Sequence, residues 1–215
     1  EVRFLMSAEH ETAYPRLKSD PTETELAEIY TPSSDELEFA RRHSNSLALL
    51  IHLEIVQRLG YFSKSSEIPT IIRSHIAGHA HLKGVGKNKL RELDRTGARH
   101  RLRKLVRTRL NITAFEAGGA EVIASAAATA AQTMQELTDI INVVIEELVR
   151  QRFELPGFSA LQRAASIART DTNTSIYEAI ADQLSAETKR AIAVDPRCRY
   201  PMTFRCTGCR KSGAR

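Results

Sequence analysis

The sequence predicts an all-α fold, arranged as two small helical units with helix-turn-helix-like elements. Three observations lead there. Capping signals precede apolar runs with helical spacing. Hydrophobic residues make up 42% of the 215, yet aromatics reach only 6% and Trp is absent, so the core must be built from Leu, Ile, Val and Ala. No alternating strand pattern of convincing length, internal repeat or low-complexity tract interrupts this pattern. The expected units are residues 5–82 and 95–194, followed by an unrelated basic tail at 195–215.

Thr22-x-x-Glu25 is a capping box that opens a short helix to about Tyr30. Pro32-Ser33-Ser34-Asp35-Glu36 supplies a second start, with acids at the positive end of the helix dipole, and that helix should end near His43. The run from Leu47 to Leu59 is apolar on most sides and is followed by Gly60, a natural left-handed stop, so it should be the central buried helix of the first unit. Pro69 fits a first helical turn, and Ile71, Ile72, His75 and Ile76 follow before Gly78. Gly84 and Gly86 mark a connection over His81–Lys89. From Arg99 to Leu110, Leu102, Leu105, Val106 and Leu110 share one arc and His100, Arg101, Arg103, Lys104, Arg107 and Thr108 the other, with Arg109 as the exception. Residues 118–133 are Ala-rich, which suits close helix packing. Leu137 to Phe153 has too many apolar faces for a surface helix and should be the core of the second unit. The Pro156-Gly157 turn leads to a further box, Ser159-x-x-Gln162, and a helix to about Arg169, which together form a helix-turn-helix candidate. Helices at Thr174–Leu184 and from Ser185 complete the ordered part.

Charge is unevenly placed. Residues 1–82 carry a net −4, residues 83–109 a net +9, residues 110–195 a net −6, and the last twenty +6. A positive concentration at one place in an otherwise acidic body is what a polyanion-binding surface needs. No apolar run reaches the ~18–20 residues of a membrane span, because His52, Glu54, Gln57 and Arg58 break the longest one. No secretion signal opens the chain, so a cytoplasmic setting is expected, with no membrane partner.

Particular stretches point further. Ile29-Tyr30-Thr31-Pro32, Leu59-Gly60-Tyr61-Phe62, Ile68-Pro69 and above all the block from Ile141 to Ser159 (INVVIEELVRQRFELPGFS) resemble the N-terminal region of Tn-three family transposases, which form cointegrates. Ile176-Tyr177 and Leu184-Ser185-Ala186-Glu187 fit the same pattern, and the likeness runs from about residue 5 to 193. It implies an all-helical region that recognises the terminal inverted repeats of a transposon. The family's strand transfer uses a metal-binding carboxylate triad in a distant C-terminal domain, to which nothing here corresponds. The chain is therefore expected to be a truncated piece without catalysis, and Pro196 to Arg215 looks unlike the family.

The candidate site follows from these readings. Arg99, His100, Arg101, Arg103, Lys104 and Arg107 are expected to meet phosphates of double-stranded DNA. Ser159, Gln162, Arg163 and Ser166 are placed to read base edges, since Gln suits adenine and Arg suits guanine. His75, His79 and His81 have helical spacing but no acid or Cys beside them, so solvated histidines are expected rather than a metal site. Cys198, Cys206 and Cys209 include a Cys-x-x-Cys pair but lack a fourth ligand, so free thiols are expected. Glu146 and Glu147 point about 100° apart on a helix and make a poor acid-base pair. No phosphate loop, nucleophile elbow or zinc-protease helix is present, and no cofactor is expected. Two alternatives remain: a helical interaction or scaffolding fragment that contacts the remainder of a transposase, and a remnant without a task.

Overall fold

The computed structural model describes residues 12–84, 86, 88, 92 and 94–194. Nine α-helices lie among them: α1 (Glu23–Ile29), α2 (Ser34–Arg41), α3 (Ser46–Leu59), α4 (Thr70–His79), α5 (Ala98–Leu110), α6 (Gly119–Ala131), α7 (Leu137–Arg150), α8 (Phe158–Gln183) and α9 (Ala186–Val194), with a 3-10 turn at Phe115–Ala117. No strand occurs among the described residues, so the fold is all-α; one isolated parallel bridge joins Thr113 and Phe153. Two compact units are distinguished, one reaching to Thr172 and the other starting at Asn173. Of the expected connection, residues 85, 87, 89–91 and 93 lie outside the described residues, as do residues 5–11 and the tail with Cys198, Cys206 and Cys209.

In the first unit, the starts of α1 and α2 follow the capping chemistry of the sequence. The Thr22 and Ser33 hydroxyls accept from the amides of Glu25 and Glu36, and those carboxylates accept in return from the cap amides. Eleven of the fourteen residues of α3 are buried, and Gly60 ends the helix at φ +70. Around it gather Leu26, Tyr30, Ile68, Ile72 and Ile76, together with Leu102 and Val106 from α5. A second apolar cluster in the same unit joins Ile123, Ala127 and Ala131 of α6 to Ile140, Ile141, Val144 and Leu148 of α7, and to Leu161 and Ala165 of α8. Small alanines let α6 approach α7 closely. Tyr61 packs against both clusters and stacks on Tyr14 at 5.4 Å.

Three helices end on a non-glycine residue in the left-handed region: His81, Asn111 and Arg152, at φ 54, 52 and 58. Each end is of the Schellman type. In α7 the Phe153 amide reaches the Leu148 carbonyl at 2.8 Å and the Arg152 amide reaches that of Val149 at 3.0 Å.

The C-terminal half differs in detail from expectation. α7 stops at Arg150, short of Phe153, because Arg152 turns into the left-handed region and its carbonyl accepts from Thr113 at 2.7 Å. It also keeps an outer face, with Val149 58% exposed. The connection to α8 takes residues 151–157, longer than the three or four residues of a helix-turn-helix turn, and it is stitched in place: the Glu154 amide donates to Thr113 and the Leu155 amide to Gly60. Helix α8 starts at Phe158, so Ser159 lies inside the first turn and does not cap it. The two helices expected at 159–169 and 174–184 are one, Phe158–Gln183, since Thr170 to Thr174 holds no Gly or Pro and the modest propensity cost of Thr, Asn and Asp does not break a helix.

The second unit consists of α8 from Asn173 onward and α9. The Ser185 hydroxyl accepts from the Thr188 amide at 3.1 Å and caps α9. Ile176, Tyr177 and Ile180 are about half exposed.

Candidate nucleic-acid interface

The cations of α5 are sorted by what lies beneath the helix. Leu102 and Val106 point into the first apolar cluster and fix its roll. That leaves His100, Arg101, Lys104 and Thr108 exposed along the opposite side, where the helical wheel places them. Arg99, Arg103 and Arg107 are half-buried along one flank. Arg103 lies over the ring of Phe62 with its guanidinium carbon 4.8 Å from the centroid, and Arg107 lies over the same ring at 5.5 Å. On the other flank Arg109 is exposed and lies 5.5 Å over Phe39. Aromatic rings thus brace α5 from both sides, which accounts for Arg109: its guanidinium lies over Phe39 while the residue stays exposed.

Arg107 is committed elsewhere. Its Nε and Nη2 donate to Glu154 Oε2 at 2.9 and 2.5 Å, with the two side chains 23% and 11% exposed. The residue expected to meet a phosphate therefore ties α5 to the connection before α8. The basic face is carried by Arg101 and Lys104, flanked by His100 and Arg109. Phe39, Arg101, Lys104, Leu105, Thr108 and Arg109 line an open groove of about 560 Å³ between α2 and α5.

A second polar network supports the start of α5. His52 Nε2 and Ser65 Oγ are 2.9 Å apart, Ser65 Oγ donates to Asp94 Oδ1 at 2.8 Å, and the Ser65 and Ser66 amides donate to the same carboxylate. His52 is 6% exposed, and burial lowers its pKa to about 4, so it is neutral and Nε2 can donate to the serine. Because the Ser65 hydroxyl already donates to a carboxylate, the trio is a docking chain and not a nucleophile with its base.

Ser159, Gln162, Arg163 and Ser166 share one strip of α8, on the side away from buried Leu161 and Ala165; Ser159 and Arg163 are exposed, Gln162 and Ser166 half-buried. His75 Nε2 is 2.9 Å from Thr31 Oγ1, and its ring lies 4.5 Å from that of His79. Among the described residues no group of three or more His, Cys, Asp or Glu side chains gathers to hold a metal. Glu147 pairs with Arg150 at 2.5 Å and also accepts from Gln151, and these donors hold its carboxyl down at about 2. No helix among the described residues is long and apolar enough to cross a membrane.

A family model described as a domain of unknown function (DUF4158) matches residues 5–168. The chain belongs to the DUF4158 family. No curated protein matches it. The DUF4158 match takes in both apolar clusters, the braced helix α5 and the Glu154 tether, and it ends close to the limit of the first unit.

Sequence reasoning missed the partners that hold the basic helix: Phe39, Phe62, Glu154 and the chain from His52 to Asp94. Each is an unremarkable residue of its own segment, and only the fold brings it under α5.

Proposed function

We propose that this DUF4158 chain binds double-stranded DNA as the terminal-repeat recognition region of a Tn-three family transposase, and supplies no catalytic group itself. The observation that carries the reading is the outward face of α5, where Arg101 and Lys104 stand exposed with His100 and Thr108 on a helix held rigid beneath them. Cations on a fixed, exposed face gain affinity by releasing phosphate counterions without first losing side-chain and backbone freedom. The resemblance of residues 141–159 and the neighbouring blocks supports the transposase assignment. A cytoplasmic setting goes with it. Ser159, Gln162, Arg163 and Ser166 would read bases secondarily.

The test is fluorescence anisotropy with a duplex bearing the terminal repeat of the DNA element that encodes the chain, beside a scrambled duplex, over a salt series. The expected result is tighter binding to the repeat and a log-log salt slope of roughly −0.9 per phosphate contact. Equal, salt-insensitive affinity for both duplexes would defeat the proposal. A second reading, a surface that contacts other parts of a larger assembly, is favoured by the exposed Ile176, Tyr177 and Ile180 of the second unit.

A further inference from the structure

The groove beside the basic face has a chemistry that phosphate contact alone does not call for. Its six lining side chains include three cations, Arg101, Lys104 and Arg109, the hydroxyl of Thr108, and two apolar groups, Phe39 and Leu105; none is an acid. A duplex backbone is matched by cations on a convex face and has no use for an apolar recess. An unpaired nucleotide needs both: donors for its phosphate, and a flat apolar or guanidinium surface for its base. Arg109 already lies 5.5 Å over the Phe39 ring, so a planar cation and an aromatic ring meet at the groove wall. The volume, about 560 Å³, is that of a small-ligand site. An acidic amphipathic helix would need apolar positions spread over two or more turns, and Phe39 with Leu105 offers a single spot.

Resting on the DNA reading above, we infer that the groove between α2 and α5 takes one unstacked nucleotide, its phosphate held by Arg101, Lys104 and Thr108 and its base laid against Arg109, Phe39 and Leu105. The protein then favours DNA in which one base is free to leave the helix, because the cost of unstacking is already met.

The experiment compares the full chain binding a flush 24-base-pair duplex with its binding to the same duplex carrying one extrahelical thymidine, for the native sequence and for Phe39→Leu and Arg109→Gln. Urea unfolding of each variant confirms that it is folded. The expected result is a preference for the bulged duplex of at least about fivefold, the equivalent of one base stacked on a side chain. Both variants should cut that preference toward parity. Equal affinity of the native chain for both duplexes overturns the inference and leaves the DNA reading standing. Binding to neither removes both. A folded Phe39→Leu variant that keeps the full preference, or tighter capture of a glutamate-rich amphipathic peptide than of either duplex, also overturns it.

Discussion

Arg107 and Arg101 sit six residues apart on one basic helix, yet their surroundings assign them different work. Arg107 is held by Glu154 in a pair of which little is exposed, so Arg107→Ala leaves a carboxylate without its partner and should cost about 2–3 kcal/mol of stability. Its salt slope for DNA should not change. Replacing both Arg101 and Lys104 with alanine should do the opposite, leaving the urea midpoint within the error of measurement and flattening the slope by roughly 0.9 for each cation. If Arg107→Ala flattened the slope with no loss of stability, the division of labour would be wrong. The buried ionisable residues of α3 oppose one another. Burial, with the charge of Glu36 second, pushes the Glu54 carboxyl up to about 8, so the folded chain holds a proton that the unfolded chain has released above about 4.5; stability falls as pH rises between those values. Burial lowers His52 to about 4, so the stability it permits is complete above 6.5 and is lost as pH falls toward 4. The two slopes offset each other where they overlap. Glu54→Gln should leave only the acid-side loss: stability from pH 5 to 8 should rise and then level, exceeding that of the native chain at pH 8 by at most about 5 kcal/mol. An unchanged decline above pH 7 in the variant would mean that Glu54 is ionised in the folded protein.

Helix ends show how far local sequence reaches. The Thr22 and Ser33 boxes and the Gly60 stop were legible because capping is settled within four residues. The end at Leu110, before the left-handed Asn111, was legible too, but that at Arg152 was not, since a residue other than Gly or Asn takes a left-handed conformation only when the surrounding structure imposes it. The merging of 159–169 with 174–184 was hidden for a related reason: weak helix formers read as a break, whereas cooperativity carries a helix through them. Two glycine exchanges test this account by chemical denaturation. Gly60→Ala should lose about 1–2 kcal/mol, because φ is +70 and the new methyl would stand 3.1 Å from the Leu155 side chain. Arg152→Gly should gain about 0.5 kcal/mol, because it relieves the same backbone conformation at an exposed site. Within α8, only Leu161 and Ala165 are buried, and residues 174–180 are exposed throughout. Amide exchange should accordingly be slow up to about Ala168 and approach that of an isolated helix beyond Asn173; uniform protection along all of α8 would contradict this.

For the molecule as a whole, charge asymmetry was the strongest signal in the sequence, and it located α5 without showing how the helix is held. Eleven cations in residues 83–109 would suggest a steep salt dependence if all met phosphate. Six of the eleven lie in α5, and exposure and pairing leave about three of those six, Arg101, Lys104 and Arg109, which predicts a slope of roughly −2.7 for that helix. The reduction has a physical source that no single segment contains: Phe62 and Glu154 are separated in sequence by most of the first unit, and only packing sets them both beside Arg107. Composition and periodicity sufficed for the helical class. The identity of the residues that stiffen α5 needed three dimensions.

The tether also sets an order of events at the ribosome. Arg107 leaves the exit tunnel 47 residues before the carboxylate that clasps it, and Leu155, which closes onto Gly60, emerges one residue later still. At elongation rates of about 5–20 residues per second, the cationic segment is outside the ribosome for a few seconds before it can be locked. A nascent chain stalled before Glu154 would present the same arginines on a helix without its clasp, so α5 is tied down only once the end of the first unit has been made.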